Sequence, residues 1–131
     1  MSKMIHSMIR VRDEHRSLAF YETALGLTVR DRYAMDGFTL IYLRDAEGTF
    51  ELELTVNDDQ PEPYALGNGY GHLAVSVDAL GDEHARLEAA GLKPTTLKSL
   101  DHEGETLAQF FFLTDPDGYK IEVLQRGGRY L

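Results

Sequence analysis

The chain is built twice from one pattern, and that repeat limits what it can fold into more than any other feature. Ile5-His6-Ser7-Met8-Ile9-Arg10-Val11 returns as Gly71-His72-Leu73-Ala74-Val75-Ser76-Val77-Asp78, with a His at the head of an alternating, β-rich segment both times. A helical pattern follows each, over residues 13–25 and 78–90. Leu18, Tyr21 and Leu25 sit at helical spacing in the first, and Leu80, His84 and Leu87 in the second. Asp13 and Asp78 suit N-caps, and Gly26 and Gly91 suit the C′ position. A Gly-Leu pair falls 20 residues after the first His and 19 after the second. Strand-like segments then recur at 38–44 and 108–114, rich in aromatic and branched residues. The turns Asp45-Ala46-Glu47-Gly48 and Asp115-Pro116-Asp117-Gly118 follow. Each leads into a strand that carries a Glu, at 50–56 and 119–124. Weaker strand patterns at 28–33 and 93–97 complete the repeat. The expected fold class is α+β, a β-α-β-β-β module used twice within one domain, 1–131. Module one spans 4–57 and module two 70–125. The stretch 58–69, with two prolines, two glycines and three acids, is the linker.

A module of about 60 residues with one helix leaves a sheet face uncovered. The two sheets are therefore expected to share a concave mixed surface with helices outside, or to find a partner in a second chain. Side chains alternate faces along a strand. Ile5, Ser7, Ile9 and Val11 share one face of the first strand, and His6, Met8 and Arg10 the other. Leu73, Val75 and Val77 divide from His72, Ala74 and Ser76 in the same way. Phe50, Leu52, Leu54 and Val56 alternate with Glu51, Glu53, Thr55 and Asn57. Tyr119, Ile121 and Val123 alternate with Lys120, Glu122 and Leu124. With the apolar faces under the helices, each copy sends one His and at least one Glu onto the concave face.

Imidazole and carboxylate without thiolate suit borderline divalent ions such as Ni, Co, Fe, Mn or Zn. Two Glu also balance the charge of one such ion. A single strand His or Glu is usually only solvated or hydrogen-bonded; the recurrence at matching positions singles these out. Glu51 shares the face of Glu53, so a slip of two residues stays open. His15 and His84 read as helix-surface residues and His102 as a loop residue. Met8 reads as packing. Phe110-Phe111-Phe112 reads as core strand with one aromatic wall toward the cavity.

Composition removes other classes. Thirteen Lys and Arg against 22 Asp and Glu leave a formal charge of −9. Such a chain repels phosphate backbones and anionic lipid, so neither nucleic acid nor membrane is expected as a partner. There is no cysteine, hence no disulfide, thiolate site or cysteine nucleophile. No apolar run nears the ~18 residues of a membrane span. The start lacks a signal-peptide pattern, so a cytoplasmic location is expected.

From residue 4 to 125 the chain resembles glyoxalase I, the lactoylglutathione lyases of the vicinal-oxygen-chelate superfamily. The most specific segments are Ile5 through Val11, Phe20-Tyr21, Leu25-Gly26-Leu27, Glu53-Leu54-Thr55-Val56-Asn57, Tyr70 through Val77 and Asp115 through Glu122. The resemblance implies His6, Glu53, His72 and Glu122 as metal ligands, and favours Glu53 over Glu51 through its Glu-Leu-Thr-x-Asn context. It implies isomerisation of the hemithioacetal of methylglyoxal and glutathione to S-lactoylglutathione, a small-molecule reaction. Glu122 is then the base, with Glu53 a ligand and second candidate base. Arg10 and Asn57 match positions that hold glutathione. The family forms homodimers whose sites are shared between chains. A short chain like this one resembles the bacterial type activated by Ni²⁺ or Co²⁺ rather than Zn²⁺. One stretch departs from the pattern. Close bacterial relatives carry a Lys before a Gly-Gly-Thr run, where this chain has Asp101-His102-Glu103-Gly104-Glu105-Thr106, with Lys98 upstream.

The same fold hosts other functions. An Fe(II) extradiol dioxygenase uses two His and one Glu, and the extra Glu53 stands against it. A metal-dependent epimerase of the same superfamily also abstracts a proton beside a carbonyl. A non-catalytic drug-sequestering protein is the third alternative, and the full ligand set stands against that.

Overall fold

Parallel strands cannot be joined by a tight turn, and in both copies a helix opens the long connection that parallel pairing requires. The computed structural model describes residues 1–131 and divides them into two compact units, residues 1–65 and 66–131. The first unit holds β1 (His6–Arg10), α1 (Glu14–Leu25), β2 (Thr28–Ala34), β3 (Phe38–Arg44) and β4 (Glu51–Asn57). The second holds β5 (His72–Val77), α2 (Leu80–Ala89), β6 (Lys98–His102), β7 (Glu105–Thr114) and β8 (Lys120–Gln125). The strand orders are β1-β4-β3-β2 and β5-β8-β7-β6. In each sheet the outer first strand runs parallel to the Glu strand, and the remaining pairs are antiparallel. The α+β double module expected from the repeat is therefore the fold. The chain between β4 and β5 is irregular, and the boundary between units falls inside it, after Ala65.

The apolar faces form the core of each unit. Ile9, Val11, Ile41, Leu43, Leu52 and Leu54 are buried in the first, and Phe111, Leu113, Ile121 and Val123 in the second. Full burial of such a side chain contributes about 1.5–3 kcal/mol. Ile5 and Phe50, at the edges of the expected apolar faces, are exposed. In α1 the buried face is Ser17, Phe20, Tyr21 and Ala24 rather than the expected Leu18, Tyr21 and Leu25. The side chains at 17 and 24 are small and fully or nearly fully buried. Phe20 and Tyr21 fill the space with an edge contact at 5.1 Å.

Asp13 caps α1 as expected, its carboxylate accepting the Arg16 N–H at 3.0 Å. Gly26 closes the helix at φ 66°, in the left-handed region glycine enters without a Cβ penalty. Gly91 follows α2 at φ 78°. Asp78, however, does not cap α2. The Gln125 side chain, from the end of β8, accepts the Leu80 N–H at 3.0 Å and donates to the Asp78 carbonyl at 2.8 Å. Asp78 instead pairs with Arg126 at 3.2 Å.

Two further expectations are corrected. The strand expected at 93–97 begins at Lys98: residues 92–97 are irregular, and Lys93, at φ 52°, lies in the left-handed region before Pro94. Pro fixes its own φ and disfavours helix before it, and here it follows a left-handed residue. The stretch 101–106, read as a loop, is a β-hairpin: Glu103 and Gly104 take φ 52° and 80° between the β6–β7 pairs Asp101–Thr106 and His102–Glu105. His102 thus ends a strand. His84 is no simple surface residue: its Nε2 lies 2.9 Å from the Thr95 carbonyl and its ring packs edge-on to Phe111 at 5.1 Å.

Arg32 on β2 donates twice to Glu14 on α1, at 2.6 and 3.0 Å. That hydrogen bonding holds the Glu14 carboxyl below its ordinary value, against opposing desolvation, with the charges of Arg32 and His15 adding to it. A depressed carboxyl stabilises the fold above its ordinary pKa and loses that contribution as pH falls through the folded value. Wild type should therefore lose more stability than Glu14→Gln as pH drops below about 4.5, measured by urea denaturation across pH, the two converging at the acid end. Gln125→Ala removes the cap of α2 and should lower unfolding free energy by about 0.5–2 kcal/mol, with the denaturant slope unchanged.

Candidate active site

The parallel pairing of β1 with β4 sets His6 opposite Glu51 and Met8 opposite Glu53. That of β5 with β8 sets His72 opposite Lys120 and Ala74 opposite Glu122. In both sheets the imidazole then reaches diagonally, past its direct neighbour, to the carboxylate two residues on. His6 Nε2 lies 2.9 Å from Glu53 Oε2, and His72 Nε2 lies 3.5 Å from Glu122 Oε1. The second copy thereby marks Glu53 as the counterpart of Glu122. The direct neighbours turn away to the next strand. Glu51 pairs with Arg44 at 3.3 Å, and Lys120 donates to Thr114 at 2.8 Å.

The third strand supplies an aromatic backing. Tyr42 on β3 is the cross-strand partner of Glu53, and Phe112 on β7 is that of Glu122. Each aromatic ring meets the His ring of its own unit edge-on, at 5.9 Å for His6–Tyr42 and 5.3 Å for His72–Phe112. The Phe run splits as alternation requires: Phe111 is fully buried, while Phe110 and Phe112 lie on the His72 face with their rings 5.8 Å apart. The two pairs are not chemically alike. The Tyr42 phenol stands directly across the strand from the Glu53 carboxylate, on the same face; Phe112 at the matching place has no hydroxyl. Desolvation, then the charge and hydrogen bond of Glu53, push the Tyr42 phenol above its ordinary value. The Glu53 side chain is 11% exposed and that of Glu122 18%. Tyr42 escaped the sequence reading, although its match to Phe112 in the repeat was a usable signal.

Arg10 lies exposed on the His6 face of β1, opposite Thr55. The Asn57 side-chain amide donates to the Tyr64 hydroxyl at 3.0 Å, so the segment after β4 fixes its orientation. Lys98 stands at the start of β6, opposite Phe110.

One nitrogen and one carboxylate oxygen at these separations fit a divalent ion of the N/O-preferring kind, and each pair would provide two of the four or more donors it needs. No group of three or more His, Asp or Glu side chains able to hold an ion gathers in the chain.

The family model of the Glyoxalase/Bleomycin resistance protein/Dioxygenase superfamily matches residues 3–123. A lactoylglutathione lyase of Neisseria meningitidis serogroup A is 38% identical over 128 residues, covering 95% of this chain and 91% of that one. Among solved structures, the glyoxalase I of Leishmania major, described as trypanothione-dependent, superposes with a TM-score of 0.75 at 32% identity, over 95% of this chain and 87% of that one. Glyoxalase I of Zea mays superposes with a TM-score of 0.82 at 28% identity; the match covers 96% of this chain but only 45% of the maize protein. With nearly its whole length matched in sequence and in fold, the chain belongs to the lactoylglutathione lyase, or glyoxalase I, family of that superfamily.

Proposed function

We propose that the chain is a metal-dependent lactoylglutathione lyase. It isomerises the hemithioacetal of methylglyoxal and glutathione to S-lactoylglutathione, with His6, Glu53, His72 and Glu122 as the ligands of one divalent ion. The recurrence of one diagonal His–Glu pair in both sheets carries this reading. Two imidazoles and two carboxylates neutralise a divalent ion, and a site of two donors is too poor to hold one firmly. The two pairs would complete each other and, by likeness to the family, do so in a homodimer whose sites combine the first module of one chain with the second of its partner. Ni²⁺ or Co²⁺ is favoured over Zn²⁺ by likeness to the short bacterial enzymes.

A divalent ion held by these residues would supply a Lewis acid toward negative charge developing on the substrate's oxygens. The remaining chemistry is one proton moved between adjacent carbons and one between their oxygens. Glu122 takes the carbon-bound proton from the carbon bearing sulfur and returns it to the neighbouring carbon, while the hydroxyl proton passes to that neighbour's oxygen, which leaves the thioester. Its looser approach to His72, at 3.5 Å, suits a carboxylate that must reorient. His6, His72 and Glu53 stay in place. Arg10 grips a carboxylate of the tripeptide with its planar guanidinium, and Asn57, steadied by Tyr64, hydrogen-bonds to it.

Protein stripped of metal and prepared without a histidine tag should be inactive. It should recover more thioester formation from methylglyoxal and glutathione with Ni²⁺ or Co²⁺ than with Zn²⁺. Equal or better recovery with Zn²⁺ would place the chain in the other metal class, and activity without added ions would remove the metal from the reaction. Glu122→Gln, assayed with metal content measured in the same sample, should lose about 10²–10⁴-fold in kcat, the usual contribution of a general base. Near wild-type turnover in the metal-loaded variant would pass the base role to Glu53.

A further inference from the structure

The two modules agree in strand register, in the His and Glu they pair and in the aromatic that backs each pair, but not in what that aromatic can donate. At one register position stands Tyr42, at the matching one Phe112. A phenol directly across the strand from a carboxylate, on the same face, is within reach of it; the phenyl ring of Phe112 has equal bulk and no hydroxyl. Glu53 is buried, with His6 at 2.9 Å and the Tyr42 phenol facing it from the neighbouring strand. Glu122 has His72 at 3.5 Å, and is half-buried. Tyr42 is itself wedged between the rings of His6 and Tyr33, at 5.9 and 6.2 Å, which limits where its hydroxyl can swing.

We propose that Tyr42 is a positioning residue that locks Glu53 in ligand geometry beside His6, so that the first module supplies the rigid half of the ion site and the Phe112-backed second module the half that moves. This inference rests on the assignment of Glu53 and His6 as ligands above. A hydrogen bond to the carboxylate fixes the plane of the ligand and spares part of the ordering cost that ion binding otherwise carries. The same hydrogen bond on Glu122 would hinder a carboxylate that has to rotate between two carbons. The difference between the two positions therefore follows the difference between the two tasks.

The test compares Co²⁺ binding by the metal-free full chain in wild type, Tyr42→Phe, Phe112→Tyr and Glu53→Gln, by chelator competition and by the Co²⁺ visible spectrum. Urea denaturation of each metal-free protein runs alongside. Tyr42→Phe should bind Co²⁺ about 10-fold more weakly, with an altered spectrum, the scale at which partners of ligands act. Phe112→Tyr should keep its Co²⁺ affinity and lose kcat at unchanged KM. Tyr42→Phe with wild-type affinity and spectrum would overturn the proposal, and so would a variant whose only change is its denaturation midpoint. If Glu53→Gln also binds Co²⁺ like wild type, the ligand assignment itself fails. If only Tyr42→Phe does, the assignment stands and the positioning role falls. A Phe112→Tyr enzyme with undiminished kcat would overturn the division into a rigid and a moving half.

Discussion

Parallel pairing of the first strand of each module with its last is the constraint on which the rest depends. It forces the chain to leave β1 through a helix, cross, descend through two antiparallel strands and return beside its start. It also decides which carboxylate meets which imidazole. In both sheets the direct neighbour of the His bonds across to the next strand, and the residue two further on points back at the imidazole. A His and a Glu separated by 47 residues in one copy and 50 in the other become neighbours by this route alone. Because the strands are held by backbone hydrogen bonds along their length, the pair is positioned by rigid elements rather than by loops.

The duplicated framework allows the two pairs to differ chemically while sharing a backbone. Each His is braced by an aromatic edge from the third strand, which limits the freedom of the imidazole in both. Only in the first module does that aromatic carry a hydroxyl beside the carboxylate. A glyoxalase needs carboxylates that hold an ion and one that moves a proton, and those demands conflict in a single side chain. On the roles proposed for Glu53 and Glu122, a repeat with one phenol and one phenyl at matching positions would separate them by a single hydroxyl.

The helices join their sheets by different means. α1 buries small residues at 17 and 24 flanking two aromatics, and is capped from its own sequence by Asp13. α2 takes its cap from Gln125, at the end of β8. The N-terminus of α2 is therefore completed only once the last strand of its sheet has formed, so the helix and the strand bearing Glu122 are coupled. No helix is long and apolar enough to cross a membrane.

Much of this was legible in the residues themselves. The His-headed segments, the Gly-Leu pairs and the recurring turns established two β-α-β-β-β modules, because hydrophobic periodicity and turn chemistry are local. Alternation put His6, Glu53, His72 and Glu122 on faces opposite the core, and the family likeness named them together. Alternation has a period of two, so it could not separate Glu51 from Glu53, which share a face; the family likeness favoured Glu53, and the diagonal side-chain contact, with His6 Nε2 2.9 Å from Glu53 while Glu51 turns to Arg44, separates them in the structure. The cap of α2 was misread because Asp78 is a good capping residue locally, while Gln125 lies 45 residues beyond the amide it binds. β6 was placed too early because β-propensity at 93–97 says nothing of the left-handed backbone at Lys93. The hydroxyl of Tyr42 acquires its meaning only where β3 lies against β4. Composition and spacing thus determined which groups this protein has and on which faces they stand. Pairing at a distance decided which of them touch, since contacts between strands far apart in the chain are set by the packed sheet and not by any local preference.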